Sequence, residues 1–174
     1  HVFLQAGVGS FASAVTGFFT SVYKDCKPII TIIEPNEAAC IFKTIKANDN
    51  KLHPVTTDMN SIMAGLACGE PITIGIDILR SYGDNFISCP DYVAANGMRV
   101  LSSPIETDSR IIAGESGAAG FGAFYEIMRN EKISYAKEEL KLNEDSVILF
   151  FNTEGATDQK SYDDIVWNGA YSRQ

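Results

Sequence analysis

Histidine is nearly missing from this sequence: only His1 and His53 occur in 174 residues, which argues against a histidine-rich metal site. The four cysteines, Cys26, Cys40, Cys68 and Cys89, contain no C-x-x-C pair, which argues against zinc. Basic residues are in deficit, 14 Lys and Arg against 22 Asp and Glu; the net charge of -8 disfavours nucleic-acid and anionic-membrane partners. No apolar run approaches the roughly 20 residues of a membrane span. The first residues carry no initiator methionine and no basic start, so no signal peptide is read there. His1 leads straight into an apolar strand, and the expectation is a piece of a longer protein. Repeats and low-complexity segments are also lacking. What is present, 45% hydrophobic and 21% charged residues, is globular and amounts to one domain.

The most informative stretch is the beginning. Val2 to Leu4 reads as a buried strand, Gly7-Val8-Gly9-Ser10 as a tight turn. A helix pattern follows, with Phe11, Val15, Phe18, Phe19 and Val22 along one side. Strand, glycine turn and helix make a phosphate cradle: the first helical N–H groups are free and the helix dipole favours an anion. Gly7 and Gly9 allow the close approach and sharp turn, and Ser10 is expected as N-cap. Two phosphate ligands fit this pattern. Gly7-x-Gly9-x-x-Ala12 matches a dinucleotide fingerprint, with Glu34 at the end of a second strand as the ribose-binding acid. The other is a monophosphate cofactor.

The β-branched run Ile29 to Ile33 suits a parallel strand covered on both faces. Asn36 is expected to cap a helix from Ala38 to Lys46, and Leu52 to Asn60 reads as loop. Ser61 to Pro71 is a small-residue segment, Ile74 to Tyr82 a helix, Phe86 to Pro90 a short strand. Asp91 is expected to cap a helix ending near Gly97 or Met98. Arg110 to Gly117 reads as a strand ending in a glycine turn, with a helix from Ala118 to Arg129 whose small residues pack closely or leave room for a ligand. A helix over Ile133 to Leu142, a buried strand over Ser146 to Phe151 and a last helix from about Ser161 to Trp167 complete the chain. The alternation predicts a three-layer αβα fold with a mainly parallel sheet. Ligands sit at the carboxyl ends of such strands. Three turns could converge on one cofactor there: Gly7 to Ser10, Gly114 to Gly117 and Asn152 to Gly155.

Several blocks together resemble the diaminopropionate ammonia-lyase family. They are residues 1–10 (HVFLQAGVGS), 33–36 (IEPN), 62–71 (IMAGLACGEP), 85–95 (NFISCPDYVAA), 114–118 (GESGA) and 153–155 (TEG). The resemblance runs over nearly the whole chain and places it as the C-terminal part, a little under half, of such an enzyme. It implies the incomplete larger cofactor domain of a fold-type-II pyridoxal-phosphate enzyme, related to threonine dehydratase and serine racemase. The implied reaction converts 2,3-diaminopropionate, a small amino-acid substrate, to pyruvate and ammonia. A cytoplasmic homodimer is implied for the full-length protein.

By resemblance, Ala6, Gly7, Val8, Gly9 and Ser10 hold pyridoxal 5'-phosphate, with Glu115 near its ring. Thr153 matches the hydroxyl residue that bonds the pyridine nitrogen, leaving that nitrogen largely unprotonated. The resemblance also implies a Cys40–Cys68 disulfide. Two features depart from the family. Its Schiff-base lysine and acid–base aspartates lie in an upstream segment, and the nine lysines here stand in polar contexts. No catalytic residue is therefore expected in this chain, which should be inactive alone. Serine racemase relatives bind a cation with a Glu-Pro segment and a downstream acid. Glu34-Pro35 is present, but Cys40 takes the acid's place, so no metal site is expected. Three other readings stay open: another fold-type-II ammonia-lyase or dehydratase such as threonine dehydratase, a nicotinamide-dependent oxidoreductase domain built on Gly7, Gly9 and Glu34, and a non-enzymatic module.

Overall fold

The structure, a computed structural model, describes residues 1–173. Four strands, β1 (Val2–Gln5), β2 (Ile30–Pro35), β3 (Asn85–Cys89) and β4 (Leu149–Phe150), form one parallel sheet in the order β3-β2-β1-β4. Every residue of β1 and β2 is buried, because helices cover both faces of the sheet. The helices are α1 (Ser10–Tyr23), α2 (Cys40–Ala47), α3 (Thr73–Tyr82), α4 (Asp91–Ser102), α5 (Glu115–Arg129), α6 (Tyr135–Glu139) and α7 (Gln159–Val166). On one face Val2, Leu4, Ile30 and Ile32 pack with Ile41 of α2 and Ile76 and Leu79 of α3. On the other, Phe3 and Ile33 pack with Val93 of α4 and Ala119, Ala123 and Ile127 of α5. The three-layer parallel architecture expected from the alternation is the one observed.

The small residues of α5 serve close packing. A Cβ on Gly97 of α4 would lie 2.8 Å from the Ala118 carbonyl oxygen, and one on Gly122 would overlap the Val93 carbonyl. The two helices touch backbone to backbone, and their N-termini meet the carboxyl end of the sheet.

Several local expectations are corrected. Arg110 to Ala113 is irregular rather than a strand, and α5 begins at Glu115. The Ser146 to Phe151 strand shrinks to β4, and it is not buried: Val147 is 82% exposed and Leu149 41%. It lies at the sheet edge, paired only with β1 among the described residues. The side of α1 that is buried carries Ala12, Ser13 and Thr16, while Phe18 and Val22 are exposed. Asn36 starts a 3₁₀ turn (Asn36–Ala38) instead of capping α2. Glu34 takes that role, accepting from the N–H groups of Ile41 and Phe42. Asp91 is the first residue of α4, and its carboxylate accepts from Ser61 Oγ and Ile62 N–H; α4 runs on to Ser102. The helix expected over Ile133 to Leu142 is only α6, preceded by a 3₁₀ turn (Glu131–Ile133).

Candidate functional site

At the carboxyl end of β1 the chain enters the glycine turn. Gly9 has φ 97°, a left-handed conformation that favours glycine, and a Cβ there would lie 2.9 Å from Ile41 Cδ1. Gly9, not Ser10, is the N-cap, and it offers no side chain. Ser10 is the first residue of α1 and is exposed. The N–H groups of Gly7, Val8 and Gly9 find no backbone acceptor among the described residues, and those of the first turn of α1 are free by geometry. A Cβ on Gly7 would sit 3.1 Å from Cys68 Sγ and 3.2 Å from the Gly65 carbonyl oxygen. The segment carrying those residues braces the turn from outside, with Ile72 N–H donating to the Val8 carbonyl at 2.7 Å.

This turn forms one wall of a cleft of about 680 Å³. Ala6, Gly7, Val8, Gly9 and Ser10 all line it, together with Thr153, Glu154 and Gly155. The expected convergence of the first and third turns is therefore found, and Ser116 joins from the α5 N-terminus. The walls are ordered by hydrogen bonds: Glu154 Oε2 accepts from Ser116 N–H at 2.8 Å, and Gly65 N–H donates to Ser116 Oγ at 3.1 Å.

Glu115 is not brought to the cleft. Its Oε1 accepts from Ser161 Oγ at 2.5 Å, turning the carboxylate toward α7. The first turn of α5 presents Ser116 to the cleft, and the neighbouring side chain leaves on another side of the helix. Sequence reasoning missed Gln5, Gly65 and Leu66, which also line the cleft; it expected Cys68 only in a disulfide, and Ser116 and Glu154 only as members of their turns. Gln5 carried a signal: a polar residue ending an otherwise apolar strand, directly before the glycine turn.

Cys40 and Cys68 are free thiols, so the expected disulfide is not formed. Both flank Gly7. Cys40 Sγ donates to the Gly7 carbonyl at 3.8 Å, and burial, reinforced by the nearby Glu34, pushes the Cys40 thiol up to about 12. A thiol so raised offers little thiolate for exchange.

Glu34 is 1% exposed, and each carboxylate oxygen accepts a backbone N–H, from Ile41 at 2.8 Å and Phe42 at 2.7 Å. Neither oxygen is open to a ribose, which removes the residue on which the dinucleotide reading depended. Among the described residues no group of three or more His, Cys, Asp or Glu is placed to hold a metal ion.

Comparison with known proteins is consistent with this geometry. The family model described as pyridoxal-phosphate dependent enzyme matches residues 1–151. The chain is 46% identical over 172 residues to diaminopropionate ammonia-lyase of Escherichia coli strain K12, covering 99% of this chain and 43% of that protein. It thus spans less than half the length of that relative. A crystal structure of the Escherichia coli diaminopropionate ammonia-lyase, in complex with an aminoacrylate-PLP azomethine reaction intermediate, superimposes with a TM-score of 0.90. That match is 44% identical and covers 99% of this chain and 43% of the other. Maize serine racemase, at 17% identity and a TM-score of 0.72 over 92% of this chain and 45% of the other, shares the fold.

Proposed function

The chain belongs to the family of pyridoxal-phosphate-dependent enzymes, and on that premise we propose that it is the C-terminal cofactor-binding part of a diaminopropionate ammonia-lyase. The observation that carries the proposal is the glycine turn at the α1 N-terminus, lining one cleft together with Thr153. The cleft fits the cofactor. A side chain on Gly7 or Gly9 would strike its neighbours, so the backbone itself forms that wall.

In this reading the N–H groups of residues 7–10 hold the phosphate, each close anion contact supported by the α1 dipole, which is worth about 0.3–1 kcal/mol at an exposed terminus. The Thr153 hydroxyl meets the pyridine nitrogen. Glu154 and Ser116 fix the α5 N-terminus beside it. When bound, pyridoxal phosphate supplies an electron sink for negative charge at the substrate α-carbon. The lysine that anchors the cofactor and the groups that move protons belong to an upstream segment, so this chain contributes position and electrostatics.

The whole enzyme would act on 2,3-diaminopropionate as a homodimer in the cytoplasm. No helix of the described residues is long and apolar enough to cross a membrane. The test is cofactor titration of the full-length protein followed by absorbance, with and without Gly9→Ala. Loss of binding in the variant supports the reading; equal binding contradicts it.

A further inference from the structure

Gln5 is 3% exposed, the last residue of β1, and part of the cleft wall. Its Nε2 donates twice: to the Phe151 carbonyl at 2.7 Å and to Thr153 Oγ1 at 2.8 Å. A carbonyl oxygen only accepts, so the amide orientation is fixed. Turning the amide over would set two acceptor oxygens 2.7 Å apart. The amide keeps this orientation although its Oε1 is left buried without a partner, against the open face of Gly120.

The consequence lies at Thr153. One of the two lone pairs of its hydroxyl is taken by an amide that cannot accept, so its proton is free to be given elsewhere and one acceptor site fewer is left for the cleft. Thr153 is exposed and opens on the cleft.

We propose that Gln5 is a positioning residue: by donating to Thr153 Oγ1 it makes that hydroxyl a hydrogen-bond donor toward the cofactor's ring nitrogen. The inference rests on the reading of the cleft as the pyridoxal-phosphate site. It adds a direction to that contact. A hydroxyl held as donor suits an unprotonated pyridine nitrogen and disfavours a pyridinium, so Gln5 helps set the protonation state of the ring without touching it.

The experiment uses full-length protein loaded with pyridoxal phosphate labelled with ¹⁵N in the ring, and reads the ring-nitrogen chemical shift together with the cofactor dissociation constant. Gln5→Met keeps the length of the side chain but removes both donors. It should move the ring-nitrogen signal, weaken binding by about fivefold to tenfold, and add little to the effect of Thr153→Val when the two are combined. Gln5→Glu is the second variant, used if Gln5→Met does not fold. Its carboxylate would accept the Thr153 proton and draw it from the ring, so a shift in the same direction is expected. A ring-nitrogen signal unchanged from wild type in the folded variant would overturn the role of Gln5 while leaving the cofactor site standing. Wild-type protein that takes up no labelled cofactor would overturn both.

Discussion

Glu34→Gln probes a charge that the fold has taken out of water. Burial raises the Glu34 carboxyl from 4.5 to about 7, against the opposing pull of the Ile41 and Phe42 N–H groups. Because the folded value is above the unfolded one, the contribution to stability is fully present below pH 4.5 and is lost as pH rises to about 7. At 1.36 kcal/mol per unit, the loss over that interval is about 3 kcal/mol. Glutamine cannot ionise. It keeps one acceptor for one N–H and sets its own amide donor against the other, an offset of about 1–3 kcal/mol that does not vary with pH. Urea denaturation of wild type and Glu34→Gln from pH 4.5 to 7.5 separates the two effects. The wild type should lose stability relative to the variant by about 3 kcal/mol as pH rises. Parallel stability curves would show that Glu34 titrates alike in folded and unfolded chains, and would refute the reasoning.

Other outcomes follow from the same geometry. Gly9→Ala should destabilise by about 1–2 kcal/mol for the left-handed backbone alone, measured by thermal unfolding, and displace Ile41 as well. Gly122→Ala should force α4 from α5 and cost at least about 2 kcal/mol in the same assay, as overpacking does. Thr153→Val should weaken cofactor binding about tenfold with little change in the melting temperature of the cofactor-free protein. Thiol titration without reductant should find Cys26 reactive in the native protein, with Cys40 and Cys89 joining only on unfolding, and all four thiols free once denatured.

The glycine turn was legible in sequence because its signals are local: an apolar strand, two glycines and a helix period in one short stretch, residues 2–22. The parallel sheet was legible for a similar reason, since Ile29 to Ile33 has no polar alternation. Glu34 was misread because its partners are set by the angle at which α2 leaves the strand, which no spacing reveals. Glu115 and Ser116 are adjacent, and which of them faces the cleft depends on the rotation of α5, fixed by its backbone contact with α4 at Gly97 and Gly122. The Ser146 to Phe151 run is apolar enough for a core strand, yet it forms an edge. An edge strand with nothing beyond it among the described residues leaves such side chains exposed, and composition alone does not tell the two apart.

In the proposed reading this cleft serves ammonia elimination from a diamino acid. The most direct measurement is pyruvate released from 2,3-diaminopropionate by the full-length protein, with and without added pyridoxal phosphate, beside the same assay on residues 1–174 alone. Cofactor-dependent turnover is expected of the full-length protein and none of residues 1–174. Turnover by residues 1–174 alone, or cofactor-loaded full-length protein that releases no pyruvate, would contradict it.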